Sequence, residues 1–201
     1  MRKIAAVLFP EFEMLDLYGP LEMFSFFRDD FEIRTVALDR GPVRSSGGPD
    51  TVGQDRMADG VDYDLLLVPG GRGTRMVQHD PVLLDWIKAQ SGRAEYVTSV
   101  CTGSLLLAKA GVLDGRAATT NKLAFDWVAD QTEGVHWQCS ARWVRDGNVF
   151  TSSGVSAGMD MALAVIEDCL GPEAADNAAQ WAEFIRNPDP ANDPFARTEQ
   201  P

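Results

Sequence analysis

Short apolar runs of strand length alternate along this chain with longer segments whose apolar residues recur at helical spacing. Residues 3–8 form an apolar run that predicts a buried first strand. Leu15, Leu17, Leu21, Phe24 and Phe27 then follow at near-helical intervals. Pro20 falls inside that pattern, and a proline is tolerated only near a helix start. The helix is therefore expected to begin at about Gly19, with 14–17 left in the connection. Residues 31–37 alternate as a second strand, and 41–52, carrying Gly, Pro, Ser and Asp, suit a hairpin or short excursion. Leu65-Leu66-Leu67-Val68 is continuously apolar between Asp62-Tyr63-Asp64 and Pro69-Gly70-Gly71, the pattern of a central parallel strand covered on both faces. A helix is expected over 81–90, a strand over 95–100 and a helix from Leu105. Then come a short strand within 115–120, a helix over 122–131, and strands over 140–145 and 148–152 flanking Asp146-Gly147, a hairpin signal. Helices over 155–170 and 172–185 close the pattern. Pro188, Pro190 and Pro194 mark an extended, Pro-rich C-terminal segment, 187–201, and the whole chain, 1–201, reads as one domain.

Strands alternating with helices imply an α/β fold with a mostly parallel sheet and helices on both faces. In such sheets ligands bind beyond the carboxyl ends of the strands. Asp16, Gly70-Gly71, Cys101 and Ser152-Ser153 all follow strands, and are expected to converge on that edge.

Cys101 holds the most informative position. It lies at a strand-to-helix turn, where unpaired N–H groups and the helix dipole favour a thiolate, and where α/β hydrolases present their nucleophile. A buried packing cysteine is the alternative, and the junction favours the functional reading. A nucleophile needs a proton-transfer partner. Neither histidine offers itself: His79 sits in a Gln-His-Asp-Pro loop, and His136 in a strand-like segment. Asp16, between Leu15 and Leu17, is the better candidate, because an apolar setting raises a carboxyl pKa. The other reading of Asp16, as a cap for the helix expected at Gly19, stands beside it. Gly70 and Gly71 offer unobstructed backbone N–H groups, and Gly71 with the N–H of Thr102 would make an anion-stabilising pair; otherwise the two glycines only turn the chain. Ser152 and Ser153 would line a pocket or cap the next helix, capping being the safer reading. Cys139 and Cys169 read as packing residues.

The balance of charge narrows the partners. A net charge of −12 argues against nucleic acid and against an anionic membrane surface. No stretch approaches the roughly 20 apolar residues of a membrane span, and the apolar run after Met1-Arg2-Lys3 is too short for a secretion signal. Three widely spaced cysteines make no disulfide framework, which points to a reducing cytoplasm. No Cys/His cluster has the spacing of a structural zinc site.

Val68-Pro69-Gly70-Gly71, Ser99-Val100-Cys101-Thr102-Gly103-Ser104 and Ala117-Ala118-Thr119-Thr120 resemble the motifs of the ThiJ/PfpI superfamily, over nearly the whole chain. The resemblance implies a flavodoxin-like α/β/α sandwich with a nucleophile-elbow cysteine. Within the superfamily the chain is most similar to isocyanide hydratases, through Leu15-Asp16-Leu17-Tyr18-Gly19-Pro20 and a Thr after the cysteine. Those enzymes are homodimers that add water to an organic isocyanide, giving an N-substituted formamide without metal or cofactor. The resemblance implies Cys101 as nucleophile, Asp16 as general acid/base and Thr102 as a neighbour. Asp16 would protonate the nitrogen side as a thioimidate forms on Cys101, then activate water. The chain departs from those hydratases at Asn121-Lys122, where they have His-Trp, and at Ser152-Ser153, where they carry more glycine. A redox-sensing or ligand-binding protein built on a low-pKa, accessible cysteine is an alternative. A glyoxalase or deglycase is another, although it would be expected to carry a Glu on the first helix and a His near the cysteine. Related transcription regulators carry a helix-turn-helix domain, for which there is no room before Pro201. The Pro-rich end is expected to be able to cross a neighbouring subunit.

Overall fold

In a computed structural model describing residues 1–196, strands and helices alternate along most of the chain. Strand β1 (Arg2–Val7) leads into α1 (Met14–Ser25) and β2 (Phe31–Ala37). A hairpin of β3 (Gly41–Arg44) and β4 (Asp50–Gly53) follows, then β5 (Asp55–Arg56) and β6 (Leu65–Val68). Next come α2 (Thr74–Val77), α3 (Pro81–Ser91), β7 (Tyr96–Val100) and α4 (Gly103–Lys109). The last part holds β8 (Ala117–Ala118), α5 (Phe125–Asp130), β9 (His136–Trp137), β10 (Trp143–Asp146), β11 (Val149–Ser152), α6 (Ala157–Leu170) and α7 (Pro172–Trp181).

Seven strands form the main sheet in the order β10-β11-β7-β6-β1-β2-β5. All neighbours run parallel except the edge pair β10 and β11, the hairpin that Asp146-Gly147 turns. Helices α1, α6 and α7 pack on one another, as α4 does with α2 and α3, so two helical layers enclose the sheet. The expected flavodoxin-like α/β/α sandwich is the fold. Its centre is β6, whose four residues are wholly buried, between β1 and β7. A strand covered on both faces carries no alternation, and this is why Leu65 to Val68 read as a plain apolar run. No described helix is long and apolar enough to cross a membrane.

One expectation changes. Helix α1 begins at Met14, not near Gly19, and runs through Pro20. Proline removes the N–H that would meet the carbonyl four residues back, and it costs a helix stability. Packing outweighs that cost here: Leu17, Pro20, Leu21 and Phe24 are buried, and Pro20 lies close against Gly158 of α6. Asp16 therefore sits in the first turn of a helix rather than in a loop.

The described part of the C-terminal segment lies along its own chain. Arg142 N–H donates to the Pro190 carbonyl (2.8 Å), and Asp193 N–H to Ser140 (2.9 Å). Beneath it, Arg142 Nε meets Asp160 Oδ2 at 2.7 Å, and Asn187 N–H donates to Asp160 Oδ1 at 2.8 Å. Residues 197–201 lie outside the described part.

Candidate active site

The site lies beyond the carboxyl ends of β6, β7 and β11 and the first turn of α1. Strand β7 delivers Cys101 at its end, and α4 starts two residues later. Cys101 has φ +57°, in the left-handed region that a side chain other than glycine seldom takes. The sharp turn is held from three directions. Cys101 N–H reaches the Ser152 and Ser153 carbonyls (3.2 and 3.1 Å). Its own carbonyl accepts the Ser104 and Thr120 hydroxyls, both at 3.0 Å. This is the elbow expected at a strand-to-helix junction.

Asp16 comes to the same place. It is wholly buried, and its Oδ2 accepts the Gly70 N–H at 3.0 Å. Gly70 has to be glycine: a Cβ there would lie 2.6 Å from Thr102 N and 2.9 Å from Asp16 Oδ2. The other oxygen, Oδ1, is buried and has no hydrogen-bond partner among the described residues. The cap reading of Asp16 does not describe it, since the helix's N-cap position is Glu13 and the Asp16 carboxyl faces Gly70.

The carboxyl lies against the thiol, close enough for each to shift the titration of the other. Burial lifts the Asp16 carboxyl to about 7, against the pull of Gly70 N–H, and the nearby Glu13 charge adds to the rise. Burial also pushes the Cys101 thiol up, and the Asp16 charge pushes it further. The Thr102 N–H and the Asn121 side chain beside the sulfur pull the other way. The low-pKa, accessible cysteine expected from the helix terminus is thus replaced by a thiol only 7% exposed that keeps its proton. Two acids in contact, both penalised as anions, titrate as a pair. A single proton on the pair lets either member be the acid.

The remaining candidates hold the frame. The Thr102 hydroxyl accepts the Gly71 N–H and the Thr74 hydroxyl, both at 3.1 Å. Gly71 N–H is thereby engaged, and Gly70 N–H by Asp16, so neither is free for the anion-stabilising pair expected with Thr102 N–H. Ser152 is buried, with its hydroxyl on the Ser99 and Ser153 carbonyls (3.4 and 3.3 Å), and supports the elbow rather than lining a pocket. Ser153 does line one. Neither serine side chain caps α6. His79 and His136 are exposed on the α2–α3 connection and on β9. Cys139 is exposed, and Cys169 is half-buried on α6.

Asn121 is the residue whose task the sequence did not reveal. Its Oδ1 accepts the N–H groups of Leu123 and Ala124 (2.9 and 3.0 Å), a common way for Asn to turn a chain. That bond fixes the amide, leaving Nδ2 to face Gly154 and the Cys101 sulfur. A Cβ on Gly154 would lie 2.3 Å from that nitrogen.

Comparison with known proteins places this frame. Residues 2–168 match the model of the DJ-1/PfpI family. The chain belongs to the DJ-1/PfpI family. An isonitrile hydratase of Pseudomonas putida is 37% identical over 92% of this chain and 80% of its own length. A deglycase of Thermococcus kodakarensis is 32% identical over 70% of this chain and 83% of its own. Among solved structures, a ThiJ/PfpI family protein from Pseudomonas syringae superposes with a TM-score of 0.83 at 33% identity, over 93% of this chain and 76% of that one.

Proposed function

We propose that this DJ-1/PfpI protein is an isocyanide hydratase, with Cys101 as nucleophile and Asp16 as the group that moves its protons. The observation that carries the reading is the buried Cys101–Asp16 pair, in which a carboxyl with one unpartnered oxygen titrates at about 7. Similarity to an isonitrile hydratase along most of both chains supports it.

The chemistry balances as follows. Asp16, as carboxylate, takes the thiol proton while Cys101 Sγ bonds to the terminal carbon of R–N≡C. That attack leaves the new electron pair on carbon, so the proton on Asp16 goes to carbon rather than to nitrogen, and the product is the thioimidate Cys–S–CH=N–R. Asp16 is a carboxylate again. It next accepts a proton from water as the water oxygen bonds to the same carbon, and passes that proton to nitrogen as C=N becomes a single bond. The C–S bond then breaks, the hydroxyl proton returns to sulfur through Asp16, and R–NH–CHO leaves. A covalent nucleophile divides one difficult hydration into easier steps, and a carboxyl poised near neutral pH both gives and takes protons efficiently. Asn121 and the Thr102 N–H favour the thiolate at both ends of the cycle.

The same reading has a small molecule as the only partner in the reaction, needs no metal or cofactor, and has the enzyme work as a cytoplasmic homodimer. Sedimentation would check the dimer. The function itself is tested by steady-state turnover of a small aromatic isocyanide, following the formamide, with Cys101→Ala alongside. Turnover in the wild type and none in Cys101→Ala is the expected result. A wild type that forms no formamide with its cysteine reduced, or an active Cys101→Ala, would overturn it.

A further inference from the structure

Glu13 is the N-cap residue of α1, and Asp16 follows it in the first turn, three residues on. That spacing sets two side chains next to each other at a helix start. In the common arrangement the later acidic side chain turns back to the N–H of the cap residue. Here the Gly70 peptide group is inserted between them. Glu13 N–H donates to the Gly70 carbonyl (2.9 Å), and Gly70 N–H donates to Asp16 Oδ2 (3.0 Å). Two carboxyl groups are left one helical turn apart, and like charges so placed oppose each other.

A glutamate at a helix end is free to swing into solvent unless something holds it. The β3–β4 hairpin, which lies outside the seven-stranded sheet, does so. The half-buried Glu13 carboxylate accepts the Ser46 hydroxyl at 2.9 Å. Ser46 N–H is tied to the Phe12 carbonyl (2.9 Å), and Glu11 N–H to the Arg44 carbonyl (2.8 Å). Phe12 and Ser45 add an isolated β-bridge. The hairpin is thus stitched to the three residues that enter α1. A hydroxyl supplies a hydrogen bond without a positive charge, so the repulsion on Asp16 is not cancelled.

Few other groups act on Asp16. Among the described residues the titratable ones are Glu13 from its own helix and Cys101 from the elbow. The loop after β6 brings the Gly70 N–H. Helices α6 and α7 and strand β2, which also pack on α1, bring no charge to bear on it.

We propose that Glu13 is a positioning residue for the proton of the Cys101–Asp16 pair, and that the β3–β4 hairpin serves the site by holding the Glu13 carboxylate beside Asp16 through Ser46. This rests on the acid/base role given to Asp16 in the proposed function, and not on the isocyanide. Glu13 acts through Asp16 by charge: its carboxylate disfavours a second negative charge there, so the pair keeps its proton to higher pH.

The test is the pH dependence of Cys101 alkylation by iodoacetamide in the wild type and in Glu13→Gln, followed on the Cys101 peptide by mass. Sulfur bonds to the methylene carbon, iodide leaves, and the thiol proton passes to Asp16 and on to solvent. Glu13→Gln removes the charge, keeps an acceptor for Ser46 and leaves the backbone bond to Gly70 in place. Its inflection is expected about half a pH unit or more below that of the wild type. On the acid side of the inflection the variant should then react roughly threefold faster. Ser46→Ala frees the carboxylate without removing it, and should shift the curve the same way by less; it gives the reading if Glu13→Gln does not fold. Superimposable curves for the wild type and Glu13→Gln, or a shift to higher pH, would overturn the proposal. A wild type without the inflection would overturn it together with the role of Asp16. A protein that hydrates no isocyanide yet shows the shift loses the proposed function and keeps the role of Glu13.

Discussion

Asp16 and Asp160 are both carboxylates at 0–1% exposure, and the protein treats them in opposite ways. Around Asp160, burial raises the carboxyl, while the Asn187 N–H and the Arg142 guanidinium together oppose the rise, and both oxygens have partners. Among the described residues no cation pairs with the Asp16 carboxyl. One oxygen has the Gly70 N–H, the other has nothing, and the carboxyl lies against a thiol. A buried charge without compensation is costly unless the group can hold a proton. The first arrangement is that of a structural tie beneath the C-terminal segment. The second is that of a group kept close to its neutral form so that protons can come and go.

The comparison breaks if the two residues fail to separate activity from stability. The largest effect expected is on turnover: Asp16→Asn should lower kcat/KM by about 10²–10⁴, the usual contribution of a positioned acid/base. Its melting temperature should not fall below that of the wild type at neutral pH, because Asn keeps an acceptor for Gly70 and carries no charge. The linkage has a definite sign. A carboxyl raised from 3.8 to about 7 contributes stability that is full below the lower value and lost as pH rises through the upper one. The melting temperature of the variant should therefore gain on the wild type across that window.

Asp160→Ala should do the reverse. It leaves Arg142 buried without its partner, which typically costs about 3–5 kcal/mol. For a chain of this size that is a fall on the order of 10 °C in melting temperature, with the active fraction at low temperature retaining its turnover. An Asp160→Ala protein as stable as the wild type would remove the contrast. Asn121→Ala sharpens it from the other side. Removing one donor to the sulfur should lower kcat/KM about tenfold, within the range for a hydrogen bond to a charged group, while leaving the melting temperature within a few degrees.

The elements that build the site were legible where local pattern decides the outcome. The apolar run of β6 ending in Pro69-Gly70-Gly71, and β7 ending at Cys101, follow from burial on both faces and from the junction with α4. The start of α1 was not, because Pro20 is a breaking signal that only the contact with α6 overrides. The proton on Cys101 was misjudged for a related reason: the helix terminus is visible in sequence, but the depth of burial and the adjacent Asp16 carboxyl are tertiary facts. Asn121 stood out as a difference from similar hydratases, yet its place beside the sulfur depends on Gly154, which comes against its amide from beyond the β10–β11 hairpin in sequence. Arg142 and Asp160 carried no signal at all, since nothing in a sequence marks a charged pair that will be buried.

The most direct test of the account is the pH dependence of Cys101 alkylation by iodoacetamide in the wild type and in Asp16→Asn. The account predicts that the wild-type rate rises with an inflection near pH 7, as the Asp16 carboxyl loses its proton and can take that of the thiol. In Asp16→Asn the inflection should vanish, the rate climbing only at distinctly higher pH. Superimposable curves for the two proteins would contradict the claim that Asp16 controls the proton on Cys101.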